Sequence, residues 1–342
     1  MRARVGTELR PSGHPWLPEP RLIGASRILN EAALIEPFLR HHAALLHHHV
    51  IFDNGSTDGT VEIIRALKDE GMSVEVHQAA SPVYAEMFVN TLLYRLARER
   101  GAEWVLFLDC DELIHLGHVP DGLQAVLATV PSELACTHLP LMDYLGGTPE
   151  TAGEANPFLR LVRRRVGPQF TKIFVRGMDA ERVAVDAGSH GATVDKKQAV
   201  GPVQRLMVLA HYPERDPAQA AAKAVVGRLK VIAAGSESVS PVISNHYIAP
   251  FEALQRDPAG WLETKAAALL AWESDPDLIL DPAPYLGGAL RHTPAVDETA
   301  RLLSHVVRYA ETLARSHGDI MDRKRLIRGA VLKQATAVRR LF

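Results

Sequence analysis

The sequence has almost no cysteine and no long apolar run. Cys110 and Cys136 are its only cysteines, which excludes a disulfide framework and fits a reducing compartment. No segment is apolar for long enough to cross a bilayer. The N-terminal stretch carries charge, proline and glycine where a signal peptide needs an apolar segment. We therefore expect a cytoplasmic protein that is at most peripheral to the inner face of a membrane.

The sequence also lacks an excess of positive or negative charge. The formal net charge is -2, with 38 lysine and arginine residues against 40 acidic ones, so general nucleic-acid binding is not expected. The chain has 342 residues, and 47% of them are hydrophobic. This is enough for one large α/β domain with a smaller appendage.

Short apolar strands alternate with amphipathic helices from Leu22 onward. The pattern predicts strands at "RLIGASRI", "HVIFD", "SVEVHQ" and "EWVLFLD", with helices at "EAALIEPFLRHHAALL", "DGTVEIIRALKDEG" and "YAEMFVNTLLYRLARERG". Strands joined by helical crossovers pair in parallel. The carboxyl ends of these strands then meet at one edge of the sheet, where open α/β sheets bind ligands.

The second half of the chain has a looser pattern. Further strands are predicted at "LACTHLPL", "KIFVRG" and "RLMVLAHY", followed by a helix with Asp216 as N-cap, Pro217 in the first turn and Gln219 three residues after the cap. After residue 250 the pattern is helical with proline-rich breaks. We expect an irregular segment at 1–20, an α/β domain at 21–250 and a mainly helical region at 251–342.

Three carboxylates follow the fourth predicted strand in "FLDCDELI", at Asp109, Asp111 and Glu112. Two carboxylates about 6 Å apart repel by roughly 2 to 3 kcal/mol at an effective dielectric constant of 20, and a bound dication removes that cost. Oxygen ligands favour Mg²⁺ or Mn²⁺, which keep positions for substrate phosphates. The alternative is an ordinary charged surface loop.

A second acidic segment, "DNGSTDGT", begins at Asp53 and ends the second predicted strand. Asn-Gly is a turn signal, and a serine, threonine or aspartate before "VEII" is an ordinary helix N-cap. These local roles account for Asn54 to Asp58. They do not account for Asp53, because a carboxylate that ends a buried strand has no capping role in this interpretation.

The segments "RILNEAALIEPFLRHHAALLHHHVIFDNGSTDGT" and "EWVLFLDCDELI" together resemble the family 2 glycosyltransferases of the GT-A fold. The similarity is to the bacterial branch with Asn-Glu after the first strand, and it covers about residues 21 to 230. It implies a Rossmann-like, mostly parallel sheet with helices on both faces, plus a C-terminal helical region. It also implies transfer of a sugar, with inversion, from a nucleotide-sugar donor to a glycan, lipid-linked or small-molecule acceptor.

The same resemblance implies roles for individual residues. Asp53 would bind the nucleotide base, and the segment 26–30 would lie against the nucleotide. Mn²⁺ or Mg²⁺ would be held by Asp109 and Asp111, with His190 completing the metal shell; His211 is a less favoured candidate, and a structural role is open for both histidines. The full donor-binding set would be Asn30, Glu31, Asp53, Asn54, Asp109, Lys172, Arg215 and Lys223. For Lys172, Arg215 and Lys223 the alternative is a solvated face.

Inversion requires a carboxylate that deprotonates the acceptor hydroxyl. The sequence has no match to the usual base motif of the family. Asp143, Glu154 and Asp186 are candidates by position alone.

Two other features have competing interpretations. The cluster "HHAALLHHH" is interpreted as structural rather than metal-binding, because no carboxylate accompanies it in the sequence. The C-terminal "DRKRLIRGAVLKQATAVRRLF" predicts a basic amphipathic helix with Ile327, Val331, Val338 and Leu341 on its apolar face. Such a helix either packs on its own domain, which we favour, or docks on anionic lipid.

Two rival functions remain open on the sequence. A nucleotidyltransferase has a similar sheet and similar metals, but it usually carries a glycine-rich basic loop that "SRILNEAAL" lacks. A non-catalytic nucleotide- or sugar-binding relative is consistent with the missing base motif.

Overall fold

The computed structural model describes residues 20–81, 83, 85–117, 122–235, 245–294, 298–326 and 339–340. The helices in this part of the chain are α1 (Ile35–Ala43), α2 (Thr60–Asp69), α3 (Glu86–Glu99), α4 (Gly122–Ala128), α5 (Pro157–Arg160), α6 (Pro217–Ala233), α7 (Ile248–Arg256), α8 (Pro258–Ala271) and α9 (Glu298–Leu326).

The strands form one large sheet and one small one. They are β1 (Leu22–Ile28), β2 (His48–Asp53), β3 (Val74–Gln78), β4 (Trp104–Phe107), β5 (Glu112–His115), β6 (Cys136–Gly146), β7 (Arg163–Arg165), β8 (Phe170–Arg176), β9 (Val183–Val185), β10 (Ala192–Val194), β11 (Lys197–Gln198), β12 (Val208–His211), β13 (Leu278–Leu280) and β14 (Arg339–Arg340). The large sheet has the order β13-β7-β6-β8-β4-β1-β2-β3-β14, and β5 joins it through β12.

The centre of the large sheet is parallel, with β1 between β2 and β4 and with β3 beside β2. Alternate residues of these strands enter two separate cores. Leu22 and Ile51 pack in the core that also contains α1 and α2, whereas Ile23 and Val50 pack in the core that contains α3. Because successive strand residues point to opposite faces, helices cover both faces. The predicted α/β fold class with a Rossmann-like parallel sheet is confirmed.

Antiparallel strands extend this parallel centre. β8 pairs antiparallel with β4 and β6, while β12 lies parallel to β6 and antiparallel to β5. The strand β5 was not predicted from the sequence, because the acidic "DCDE" gives no strand signal. Its pairing with β12 places Glu112 opposite His211, and the pairing of β12 with β6 places His211 opposite Asp143.

The helix predicted over residues 31–46 is shorter than expected. α1 begins at Ile35 and ends at Ala43. Pro37 explains the late start, since a proline lacks the N–H that an interior helical position needs and is tolerated only in the first turn. The N-terminus of α6 is as predicted, because the Asp216 carboxylate accepts a hydrogen bond of 2.6 Å from the Gln219 N–H.

The C-terminal helices pack against α6. Contacts join α6 to α7, α8 and α9, and Arg301 on α9 forms a 2.8 Å ion pair with Asp216 at the start of α6. Within the described residues, no helix combines the length and the hydropathy needed to span a membrane.

The predicted basic C-terminal helix falls mostly outside the described residues, including all four residues of its apolar face (Ile327, Val331, Val338 and Leu341). Where the structure describes this segment, α9 ends at Leu326 and Arg339–Arg340 pairs with β3 as the strand β14. The helix prediction is therefore wrong at 339–340, where strand pairing with the sheet edge supplies the backbone hydrogen bonds.

The histidine cluster is structural, as predicted. Four of its side chains are buried and lie within hydrogen-bonding distance of protein groups: His41 at 3.0 Å from Ile114 O, His42 at 2.9 Å from Phe38 O, His47 at 3.0 Å from Leu22 N and His49 at 2.8 Å from Ser26 Oγ. The expectation that no carboxylate accompanies the cluster is wrong for His48, whose Nε2 lies 3.9 Å from Glu75 Oε2.

Glu36 ties the C-terminal part of the chain to α1. Its side chain is fully buried and accepts hydrogen bonds from the N–H groups of Arg291, His292 and Thr293, the last at 2.6 Å. It also forms a 2.8 Å ion pair with Arg40. Burial opposes ionisation, but these hydrogen bonds lower the pKa of Glu36 to about 2. The segment 291–293 is therefore held by one buried carboxylate.

We expect Glu36→Gln to lower the free energy of unfolding by about 3 kcal/mol at neutral pH, because a neutral amide breaks a buried, hydrogen-bonded ion pair. The folded-state pKa lies below the unfolded value, so this contribution is full above about pH 5 and fades toward about pH 2. Urea unfolding between about pH 2 and pH 7 measures this contribution to the free energy of unfolding. The control Glu62→Gln changes an exposed first-turn carboxylate of α2 and should cost less than about 0.5 kcal/mol; equal losses in both variants would contradict the prediction.

Candidate active site

A cavity of about 270 Å³ opens at the carboxyl ends of β1, β2 and β4. Its floor comes from the ends of these strands, and its walls come from one face of α6 and from α9. The polar and charged residues that line it are Arg27, Asn30, Glu31, Asn54, Ser81, Glu86, Asp109, Asp111, Arg215, Gln219, Lys223, Lys230, Tyr247, Arg301 and His305. It therefore lies at the edge where the parallel strands predict a ligand.

The loops after β1 and β2 are joined into one rim. Asn30 adopts a left-handed conformation with a φ of 57°, which asparagine tolerates better than most residues. Its N–H donates to Ser56 Oγ at 2.8 Å, and its Oδ1 accepts from the Thr57 N–H at 2.8 Å. Asn54 Oδ1 in turn accepts from the Ser81 N–H at 2.8 Å. These bonds hold the backbone around Asn30 and Glu31 against the cavity.

Asp53 is fully buried at the end of β2 and holds this rim through hydrogen bonds to Ser56. Its carboxylate accepts hydrogen bonds from the Ser56 N–H at 3.1 Å, from Ser56 Oγ at 2.5 Å and from Gln78 Nε2 at 2.8 Å. The interpretation that Asp53 has no local role in the turn is therefore wrong. It is absent from the described cavity lining, although its neighbours Phe52 and Asn54 belong to it.

Asp109 and Glu112 share one buried lysine. Lys172 on β8 places its Nζ 2.5 Å from Asp109 Oδ2 and 3.2 Å from Glu112 Oε1. Arg27 lies 3.8 Å from the other oxygen of Asp109. Against the effect of burial, Lys172 and Arg27 lower the pKa of Asp109. Burial dominates at Glu112 and raises its pKa to about 7.

Asp111 faces a different set of cations. Its Oδ2 lies 3.0 Å from Lys223 Nζ, 3.7 Å from Arg215 Nη1 and 3.8 Å from His211 Nε2. Against the effect of burial, these groups hold the pKa of Asp111 well below its ordinary value. Asp111 is therefore an ionised carboxylate on the cavity wall.

Asp111, Glu112 and His211 form a compact group of metal-ligating side chains. One ligand atom from each lies within 4.8 Å of the others. Glu112 Oε1 is buried and accepts no well-formed hydrogen bond from the described residues. His211 Nδ1 is 2.7 Å from Asp143 Oδ1, the carboxylate–histidine arrangement that orients metal-binding imidazoles. Two carboxylates and one imidazole fit a divalent ion such as Mn²⁺.

The structure places His190 apart from this group. Its Nδ1 lies 2.7 Å from the Thr171 carbonyl oxygen, and its ring packs against Phe170. Of the two histidines suggested by the resemblance, His211 is therefore the one beside Asp111. His211 comes close to Asp111 because β12 pairs with β5. No sequence pattern predicts this pairing, so the sequence could not favour His211 over His190.

The three candidate bases are also dispersed. Asp143 contacts His211, Glu154 accepts a 2.9 Å hydrogen bond from the Asn156 N–H, and Asp186 directly follows β9 in the small sheet. None of the three is among the described lining residues. Glu31 does line the cavity, 3.4 Å from Arg215. Burial raises its pKa to about 7, against the opposing effect of Arg215.

No protein-family model and no curated protein matches the sequence. Among solved structures, the mannosyltransferase PcManGT from Pyrobaculum calidifontis, in complex with GDP-Man and Mn²⁺, is 15% identical. That match covers 85% of this chain and 87% of the other chain with a TM-score of 0.35. A mycobacterial protein is 17% identical over 64% of this chain and 82% of the other, with a TM-score of 0.32.

We expect His211→Gln to weaken Mn²⁺ binding by at least about tenfold, because it removes the imidazole ligand of the proposed group. Isothermal titration calorimetry with MnCl₂ measures this affinity. His190→Gln is the matched control and should bind Mn²⁺ like the natural protein. A loss in His190→Gln with none in His211→Gln would place the ion elsewhere.

Proposed function

We propose that the protein is a metal-dependent glycosyltransferase that uses a nucleotide-sugar donor. The observation that carries this proposal is the group of Asp111, Glu112 and His211, with Asp109 beside it, at the cavity on the carboxyl edge of the parallel strands. A divalent cation held by carboxylates can bind the oxygens of a nucleoside diphosphate, and ligands of open α/β sheets bind in a crevice at this edge. The cavity combines these two requirements.

The charges around the cavity suit a diphosphate. Lys223 and Arg215 now lie near Asp111, and a cation bound by the carboxylates would release them toward phosphate oxygens. Lysine and arginine both favour phosphate groups. The metal ion would stabilise the negative charge that develops on the departing nucleoside diphosphate. In this arrangement Asp143 is a positioning residue that orients His211.

The finer features of the proposal follow the sequence resemblance: a family 2 enzyme of the GT-A fold that inverts the anomeric centre. Asn30 and Asn54 would contact the nucleotide, with Asp53 holding their loops in place, while Glu31 beside them would face the acceptor. In this proposal His211 takes the place of His190, the metal ligand that the resemblance suggested. The acceptor would be a glycan, a lipid-linked sugar or a small molecule. The domain limits at 21–250 and 251–342 and a cytoplasmic site of action belong to the same proposal.

Glu31 is the carboxylate that we propose for deprotonating the acceptor. It lines the cavity, and a pKa of about 7 suits a general base at neutral pH. The bases predicted by position have other contacts, as described above for Asp143 and Glu154.

We expect one nucleoside diphosphate among UDP, GDP, CDP and dTDP to raise the thermal unfolding midpoint only when Mn²⁺ is present. A ligand at about 100 times its Kd adds about 2.7 kcal/mol to the free energy of unfolding, a shift of a few degrees. Asp109→Ala should abolish the shift. The control Asp69→Ala changes an exposed carboxylate at the end of α2 and should retain it.

Three outcomes of this experiment differ in meaning. A shift that needs Mn²⁺ and Asp109 supports the donor site and identifies the nucleobase of the nucleotide-sugar donor. Tight binding without sugar transfer, across a broad acceptor panel, would favour a non-catalytic relative. If none of the four nucleotides shifts the unfolding midpoint, the glycosyltransferase proposal is wrong.

For the reaction itself, we expect Glu31→Gln to lower kcat by at least about 100-fold, because the amide cannot accept the proton of the acceptor. The Mn²⁺-dependent nucleotide shift should survive in this variant, which separates catalysis from donor binding. Glu154→Gln and Asp186→Asn serve as controls with kcat near that of the natural protein. A large loss of kcat in either control, with Glu31→Gln active, would reassign the base.

A further inference from the structure

A second cavity of about 250 Å³ adjoins the first between the end of β2, α6 and α9. The two cavities share Leu29, Asn30, Asn54, Ser81, Lys230 and His305. Neither Lys230 nor His305 was singled out in the sequence. Both stand at the junction of the two cavities, away from the carboxylates of the proposed metal group.

Lys230 forms no hydrogen bond and no ion pair with any residue that the structure describes, although its side chain lines both cavities. Burial is the main cause that lowers the pKa of Lys230 to about 8; Arg27 acts in the same direction, and Glu86 and Asp53 oppose it. A half-buried ammonium without a direct hydrogen bond or ion pair carries a cost in free energy. An anion in the cavity would remove that cost.

His305 supplies a second unmatched polar group at the same place. Its Nε2 is buried and has no hydrogen-bond partner within the described part of the chain. Burial lowers the pKa of His305 to about 4, and the neighbouring Lys230 contributes to this shift. A neutral imidazole can donate one N–H to an oxygen atom. Lys230 and His305 therefore offer two donors from two helices to one ligand.

Among the described residues, the charged side chains that line this cavity are Lys230, Arg308, Glu311 and Arg315. On the exposed side of α9, Arg315 forms a 2.6 Å ion pair with Glu311, and Arg308 lies 4.0 Å from the same glutamate. Three cations therefore share one carboxylate, which leaves a positive excess. A ligand that balances it must carry negative charge and several acceptor oxygens.

The position of Lys230 separates it from the metal group. Lys223 and Lys230 lie on one face of α6, about two turns apart, which is roughly 10 Å along the helix axis. Lys223 forms an ion pair with Asp111, and the separation along the helix is too large for one small anion to contact both lysines. Gly227 lies between them, where the Tyr247 ring packs so closely that an added Cβ would clash.

We propose that Lys230 and His305 form a binding subsite for a phosphoryl group, distinct from the proposed metal-diphosphate site. The phosphoryl oxygens accept hydrogen bonds from the Lys230 ammonium and the His305 N–H. The phosphoryl group belongs either to a nucleotide that lies along α6 or to a second, phosphorylated ligand. The subsite goes beyond the glycosyltransferase proposal and needs no metal ion.

The test is isothermal titration calorimetry of inorganic phosphate, without metal, on the natural chain and on variants. We expect Lys230→Gln to weaken phosphate binding by at least about tenfold, since hydrogen bonds to charged groups contribute strongly. We expect Lys230→Arg to retain binding and His305→Leu to weaken it severalfold. Arg308→Gln is the matched control, because it removes the same charge at the mouth of the cavity and should leave the affinity nearly unchanged.

Stability without phosphate provides a second readout. A lysine with a structural role would lose stability on substitution, whereas Lys230→Gln should be at least as stable as the natural chain, because Lys230 makes no hydrogen bond or ion pair with a described residue. Absence of phosphate binding to the natural chain, or equal binding by the natural chain and Lys230→Gln, would overturn the subsite.

Competition identifies the source of the phosphoryl group. If a nucleoside diphosphate with Mn²⁺ displaces phosphate, and Lys230→Gln weakens that nucleotide, the group belongs to the nucleotide. If phosphate binds equally well to the nucleotide-saturated protein, it belongs to a second ligand. A protein that binds phosphate through Lys230 but no nucleotide would keep the subsite and reject the glycosyltransferase proposal.

Discussion

The grouping of the buried Asp111 and Glu112 with the partly exposed Asp109 is the constraint on which the rest of the site depends. Carboxylates this close together repel strongly in a protein interior. Cations from distant segments compensate for them: Lys172 lies between Asp109 and Glu112, and Lys223 reaches Asp111 from α6. The acidic turn at residues 109–112, β8 and α6 must therefore assemble together, and the cavity forms where they meet.

Strand register converts this charge balance into a site of defined geometry. Glu112, His211 and Asp143 stand side by side across β5, β12 and β6, so their side chains share one face of the sheet. The backbone ladder thus sets the spacing of the ligand atoms before any ion binds. A shift of one residue would turn these side chains to the opposite face.

Much of the fold could be predicted because its signals are local. The apolar runs of β1 to β4 and the helical periodicity of α2 and α3 are contained within each segment, and the Asp216 cap of α6 needs only residues 216–219. Errors arose where a single residue or a distant partner decided the outcome. Pro37 delayed the start of α1, and β5 exists only because β12 pairs with it.

The sequence by itself determined the α/β class, the edge of the sheet that carries ligands and the acidic turn at Asp109 and Asp111, since apolar periodicity and chain order are local properties. Only the tertiary structure decided that His211 lies beside Asp111 and that Lys230 makes no hydrogen bond or ion pair with a described residue. Partners brought together by pairing and packing leave no spacing pattern along the chain.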